Sequence, residues 1–117
     1  MNREINFRAW HEETKNMNKP SSLMEIATNS YMEEDEFHEF IWMQYSGLKD
    51  QLNKNEVYEH DIIYHIEHGY LKVEWDYRDT GWVCIGNNYN KYNLSDILLR
   101  GGIKVGNIYE NKDLLNG

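Results

Sequence analysis

Hydrophobic and polar residues alternate with a period of two over several short runs, the pattern of half-buried strands. Ile5, Phe7 and Ala9 alternate with Asn6, Arg8 and Trp10, which predicts a first strand. The run from Glu39 to Tyr45 is rich in aromatic and branched residues and predicts a second, stopped by Gly47. Asp61 to Ile66 predicts another, ended by Glu67-His68-Gly69. Leu71, Val73 and Trp75 alternate with Lys72, Glu74 and Asp76, the clearest amphipathic strand of the chain. Asp79-Thr80-Gly81 reads as a hairpin turn with glycine supplying a positive φ, followed by the strand Trp82-Val83-Cys84-Ile85 and closed by Gly86-Asn87-Asn88. Ser95 is placed to cap a short helix from Asp96 to Arg100 that ends at Gly101-Gly102. Ile103 to Tyr109 predicts a last strand, and Gly106-Asn107 inside it reads as a bulge.

Short strands separated by turn signals, with one helical turn, predict a mainly β fold: a small barrel or strongly bent sheet. Ile62 or Ile63, Val73, Trp75, Val83, Ile85 and Ile108 are its expected core. The length of 117 residues suits one domain, 1–117, with an acidic insertion or arm at about 21–38.

Composition narrows the function. Twenty acids against twelve Lys and Arg give a net charge of −8, which argues against a protein that coats nucleic acid. The lone cysteine, Cys84, excludes an intramolecular disulfide and fits a reducing compartment. No run is long and apolar enough for a membrane span, and Met1-Asn2-Arg3-Glu4 does not read as a signal peptide, so a cytoplasmic protein is expected. Between Pro20 and Leu48 stand Glu25, Glu33, Glu34, Asp35, Glu36 and Glu39 with no Lys or Arg, so this stretch holds most of the net charge. The ordinary reading of such a run is a solvated loop or first helical turn. The sharper one is a contact surface for a basic partner, in which Glu33, Glu34, Asp35, Glu36 and Glu39 attract and Phe37, Phe40 and Trp42 anchor.

Catalytic and metal chemistry find little support. His60, His65 and His68 lie close in sequence beside Glu59, Asp61 and Glu67, but His60 and His65 differ in strand parity and His68 falls in a turn. No fixed metal-ligand spacing occurs, so neither metal nor cofactor is expected. Cys84 sits between Val83 and Ile85, where inert buried cysteines are found. Gly101-Gly102 and Gly106 lack the Lys and Ser/Thr of a phosphate loop. The abundant aromatics are ordinarily core. A nucleic-acid or nucleotide binder would need Lys91, Arg100, Lys104 and Lys112 to form a basic face among them.

Three blocks together resemble the YopX family of bacteriophage and prophage proteins. The first is Arg3-Glu4-Ile5-Asn6-Phe7-Arg8-Ala9-Trp10 with Glu13-Thr14-Lys15 and Met17. The second joins Met43-Gln44-Tyr45-Ser46-Gly47-Leu48-Lys49-Asp50, Val57-Tyr58-Glu59-His60-Asp61-Ile62-Ile63 and Val73-Glu74-Trp75-Asp76. The third is Gly106-Asn107-Ile108-Tyr109-Glu110-Asn111 with Leu114-Leu115. His60 stands where the family pattern has glycine, and Leu52-Asn53-Lys54-Asn55 replaces its Asn-Gly turn. The resemblance implies an SH3-like barrel with an N-terminal β extension, and brings no catalytic residues with it. Asp61 is expected to bond turn amides while Ile62 or Ile63 enters the core.

The expectation is a phage accessory protein without catalysis, acting in the cytoplasm of the bacterial host on a protein partner. A homo-oligomer through strand 39–45 is also expected. The alternative is a nucleic-acid or nucleotide-binding small barrel.

Overall fold

The structure, a computed structural model, describes residues 6–18 and 40–115, and the backbone of 21–22. Among these residues two antiparallel sheets form. The first contains β1 (Asn6–His11), β2 (Asn16–Met17), β3 (Ser21–Ser22), β4 (Phe40–Lys49) and β5 (Glu56–Tyr58), in the order β2-β1-β4-β5 with β3 also on β1. The second contains β6 (Asp61–His65), β7 (Gly69–Asp76), β8 (Gly81–Ile85), β9 (Lys91–Asn93) and β10 (Ile103–Asn107), in the order β10-β6-β7-β8-β9. Between β9 and β10 lies a short helix, α1 (Leu94–Leu99). The mainly β expectation with one short helix holds, and one sheet curls into a half-barrel.

Parity explains the core. Cross-strand pairing puts Val73 opposite Cys84 and Ile63 opposite Leu71. These four side chains enclose Leu94, Ile97 and Leu98 of α1, with Val57 beside them. Fully burying each aliphatic side chain contributes about 1.5–3 kcal/mol, so the helix is held by packing that six residues could not supply alone. Ile62 and Ile63 are both buried, on opposite faces of β6, because each face is covered. Val83, Ile85, Trp75 and Ile108, expected in the core, are only half-buried. Cys84, not its two branched neighbours, has the parity that faces α1.

Local signals shift by a residue or two. Gly47 (φ 84) does not end its strand; it sits in a register shift between Tyr45 and Leu48, and β4 runs on to Lys49. The positive φ of the β7–β8 turn falls on Thr80 (φ 50), while Gly81 already pairs with Asp76. The helix is capped by Asn93 rather than Ser95, its side chain accepting from the Asp96 amide at 3.1 Å. Asn93 is the first residue with extended backbone before the helix, which is the geometry a cap needs. Lys54 (φ 60), not an asparagine, takes the left-handed conformation in the turn after β4. The last strand ends at Asn107, and the expected bulge is present between Lys104 and Gly106. No helix among the described residues is long and apolar enough to cross a membrane.

Candidate contact surface and the clasp beneath it

On β1 Arg8 and Trp10 share one face and both are buried, so a polar residue points inward. Arg8 Nη2 donates to Asp61 Oδ1 at 2.6 Å and to the Glu59 carbonyl at 3.3 Å. The Lys104 ammonium reaches Asp61 Oδ2 at 3.2 Å and donates to the Glu56 carbonyl at 2.9 Å. Asp61 is fully buried and also accepts from the Tyr58 amide at 2.7 Å, the turn-binding role its position predicted. The guanidinium lies 4.9 Å from the Tyr58 ring centroid, in cation–π range. Four elements, β1, β5, β6 and β10, thus meet at one carboxylate. Burying the Arg8 guanidinium against the Asp61 carboxylate is costly unless hydrogen bonds offset it, as those of Nη2 and both carboxylate oxygens do, so the clasp fixes how the sheets sit more than it adds stability.

Above the clasp lies an aromatic column. Trp10 stacks on Tyr109 with ring centroids 5.5 Å apart, and Tyr109 Oη shares a hydrogen bond with His60 Nδ1 at 2.9 Å. Burial, then the charges of Glu59 and Glu74, hold the Tyr109 hydroxyl above its ordinary pKa. Trp10 Nε1 donates to Glu12 at 2.7 Å. Lys15 also pairs with Glu12 and is the larger reason that carboxyl lies below its usual range. His60 has φ 71, a conformation suited to glycine, and its ring contact with Tyr109 accompanies that geometry.

The opposite face of β1 and β4 presents Phe40 and Trp42. Phe40 pairs with His11 and Trp42 with Ala9. The Phe40 ring lies 4.9 Å from His11 and 6.0 Å from Trp42, so the three make an aromatic ledge. Phe40 and Trp42 are half-buried. The other expected contact residues, Glu33, Glu34, Asp35, Glu36, Phe37 and Glu39, lie outside the described residues.

His65 and His68 stack at 4.9 Å, but His60 stands apart from them. His60 is on Tyr109, whereas His65 is buried with Nδ1 accepting from the Glu67 amide at 3.1 Å and Nε2 against the Arg100 carbonyl at 3.2 Å. That pattern puts the proton on Nε2. His68 stacks on Tyr92 at 4.2 Å. The Cys84 thiol is buried and pushed up to about 12 by desolvation, far from the ionisation a nucleophile needs. Lys91 is paired with Asp76 and Lys104 faces inward to Asp61, so two bases of a prospective cationic face are engaged with acids. Sequence reasoning missed the clasp: alternation marks two faces of β1 but does not say which faces the core.

These features define a two-sheet β domain locked by a buried charged clasp, with aromatic surfaces on rigid strands. The chain belongs to the YopX family, whose family model, described as YopX protein, matches residues 6–116. The crystal structure of protein EF1440 from Enterococcus faecalis is similar, with a TM-score of 0.60 and 22% identity over 95% of this chain and 97% of that one. At that identity the likeness is one of fold. No curated protein matches the chain. The three sequence blocks that carry the family resemblance meet in space: Arg8 and Trp10, then Tyr58, His60 and Asp61, then Tyr109, all lie in the clasp and its column.

Proposed function

We propose that this YopX-family chain is a phage or prophage accessory protein without catalytic activity that binds a basic protein partner in the host cytoplasm. What supports this reading is the aromatic ledge of Phe40 and Trp42, carried on a strand backed by the clasp and directly following the acidic run Glu33-Glu34-Asp35-Glu36 in sequence. Charge would speed encounter and the rings would anchor, the usual division of labour at an interface. Self-association through strand 39–45 belongs to the same proposal. Affinity capture from host lysate identifies the candidate partner, and surface plasmon resonance with the purified partner supplies the test. Replacing Glu33, Glu34, Asp35 and Glu36 by Ser is expected to slow association several-fold at low salt, and Trp42→Ala to speed dissociation. An on-rate unchanged by the quadruple replacement would assign the acids to a solvated loop.

A further inference from the structure

A second surface feature is independent of the ledge. At the end of the second sheet, the β6–β7 turn, the β8–β9 loop and the 3₁₀ turn at Lys112–Leu115 enclose an open cleft of about 340 Å³. This is at the small end of ligand pockets, which run from about 300 to 1,000 Å³. Leu71, fully buried, lies beneath it, and half-buried Leu114 lines it. Its polar lining is Asn87, Asn88 and Asn90 from the loop and the His68 ring from the turn, with Tyr70 and Tyr92 beside them.

The loop is held in shape: the Tyr89 amide donates to the Gly86 carbonyl at 3.0 Å, and the Gly86 amide to the Asn90 carbonyl at 3.2 Å. A Cβ on Gly86 would lie 3.3 Å from Leu71 Cδ2, so the loop backbone rests directly on that side chain. Three exposed amide side chains are therefore presented from a fixed backbone, which lowers the ordering cost of binding. Among the described residues, none of the three side chains has a hydrogen-bond partner. His68 is equally fixed, stacked on both Tyr92 (4.2 Å) and the buried His65 (4.9 Å). The stacking occupies its ring and leaves its nitrogen edge for a ligand.

The lining selects a ligand class. No Lys, Arg, Asp or Glu is among it, so a phosphate or carboxylate would find no ion pair. A flat base would want an open aromatic face; the His68–Tyr92 stack is already closed, and the Tyr70 ring is tilted against Tyr64 at 5.1 Å. Amides and an imidazole edge suit hydroxyl groups, which both donate and accept, while half-buried Leu114 suits the C–H face of a sugar ring. We propose that this cleft binds a neutral saccharide of one or two rings.

The test is a titration of the ¹⁵N-labelled full chain followed by NMR, with glucose, N-acetylglucosamine, maltose and chitobiose as probes and uridine and inorganic phosphate as comparisons. At least one sugar is expected to shift the side-chain amides of Asn87, Asn88 and Asn90 and the backbone amides of Gly69 and Gly86, saturably and with a millimolar Kd. The double replacement Asn87→Ala and Asn90→Ala is expected to weaken that sugar at least about tenfold, while spectra outside the loop stay superimposable. His68→Phe, which keeps a stacking ring but removes the nitrogens, is expected to weaken it as well. The proposal is overturned by the absence of a saturable shift with every sugar. It is equally overturned if uridine or phosphate moves the same signals at lower concentration, or if sugar binding is undiminished in both variants.

Discussion

Asp61 is cut off from water and answers to three donors at once: Arg8, Lys104 and the Tyr58 amide. Asp61→Asn keeps the shape but strands two cations beside a neutral amide, and is expected to cost about 3–5 kcal/mol in urea unfolding. Arg8→Met is different in kind. It leaves Asp61 paired with Lys104 and removes a buried Nε that has no partner among the described residues, so its cost should be clearly smaller. Equal losses in the two variants would show that the clasp is not organised around the carboxylate. At the end of β7, Asp76 tells a pH story. The Lys91 hydrogen bond, ahead of the Arg78 and Asp79 amides, holds its carboxyl below the ordinary value of 3.8. A folded value below the unfolded one stabilises fully above the unfolded value and fades as pH falls through the folded one. Wild type should therefore lose stability relative to Asp76→Asn below pH about 4, and the two denaturation curves should run parallel above it. At this scale the sequence was half legible. Asp61 could be read as a turn-binding acid because its neighbours are turn-like. Arg8 could not be read as buried, because its partners lie 35 to 53 positions away and alternation is silent about which face turns inward.

The β7–β8 hairpin and the bulge in β10 show the same limit at the level of elements. Strong alternation in Leu71 to Trp75 made β7 legible, and its register with β8 follows from a turn four residues long, 77–80. What alternation did not give is depth: Trp75 is half-buried at the open end, edge-on to Trp82 with centroids 5.2 Å apart. Trp75→Ala should therefore cost about 2–3 kcal/mol by urea denaturation, below the upper part of the range for a fully buried aromatic. A loss of about 5 kcal/mol would mean the indole is buried in solution. The bulge was legible from Gly106-Asn107, and the structure adds why glycine is needed. A Cβ at Gly106 would fall 2.2 Å from Asn111 Oδ1, the atom that accepts from the Asn107 amide at 3.1 Å. Gly106→Ala is expected to destabilise by about 1–3 kcal/mol through overpacking. Combining it with Asn111→Gly clears the clash but gives up the hydrogen bond, so the double variant should lose less than the two single losses added together. Strict additivity would place the effect of Gly106 elsewhere.

At the scale of the whole molecule the question is whether two sheets behave as one. The apolar core belongs mostly to the second sheet and α1, with Val57 of β5 reaching into it. The first sheet is tied to the second by the clasp, by the Trp10–Tyr109 stack and by Lys104, whose amide donates to Asp50 Oδ2 at 3.0 Å and whose ammonium donates to the Glu56 carbonyl at 2.9 Å. None of these ties was visible from local patterning, since each joins segments far apart in the chain, whereas the hairpins, the helix and the bulge are built from neighbours. The ties carry a thermodynamic consequence. If they couple the sheets, β1 and β7 should open together, and their slowest amides should exchange hydrogen with the same free energy as global unfolding. Arg8→Met then becomes the discriminating variant. It cuts the charged link between the sheets while leaving the second sheet, α1 and the Asp61–Lys104 pair intact. In that variant the β1 amides should exchange with a lower free energy than those of β7, as local opening of the first sheet separates from the global transition. Should β1 already exchange well below β7 in the wild type, the corner would be a surface contact between two independently stable layers. Should β1 and β7 remain matched in Arg8→Met, the aromatic stack, the Lys104 and Tyr58 hydrogen bonds and the reach of Val57 into the core would be carrying the coupling.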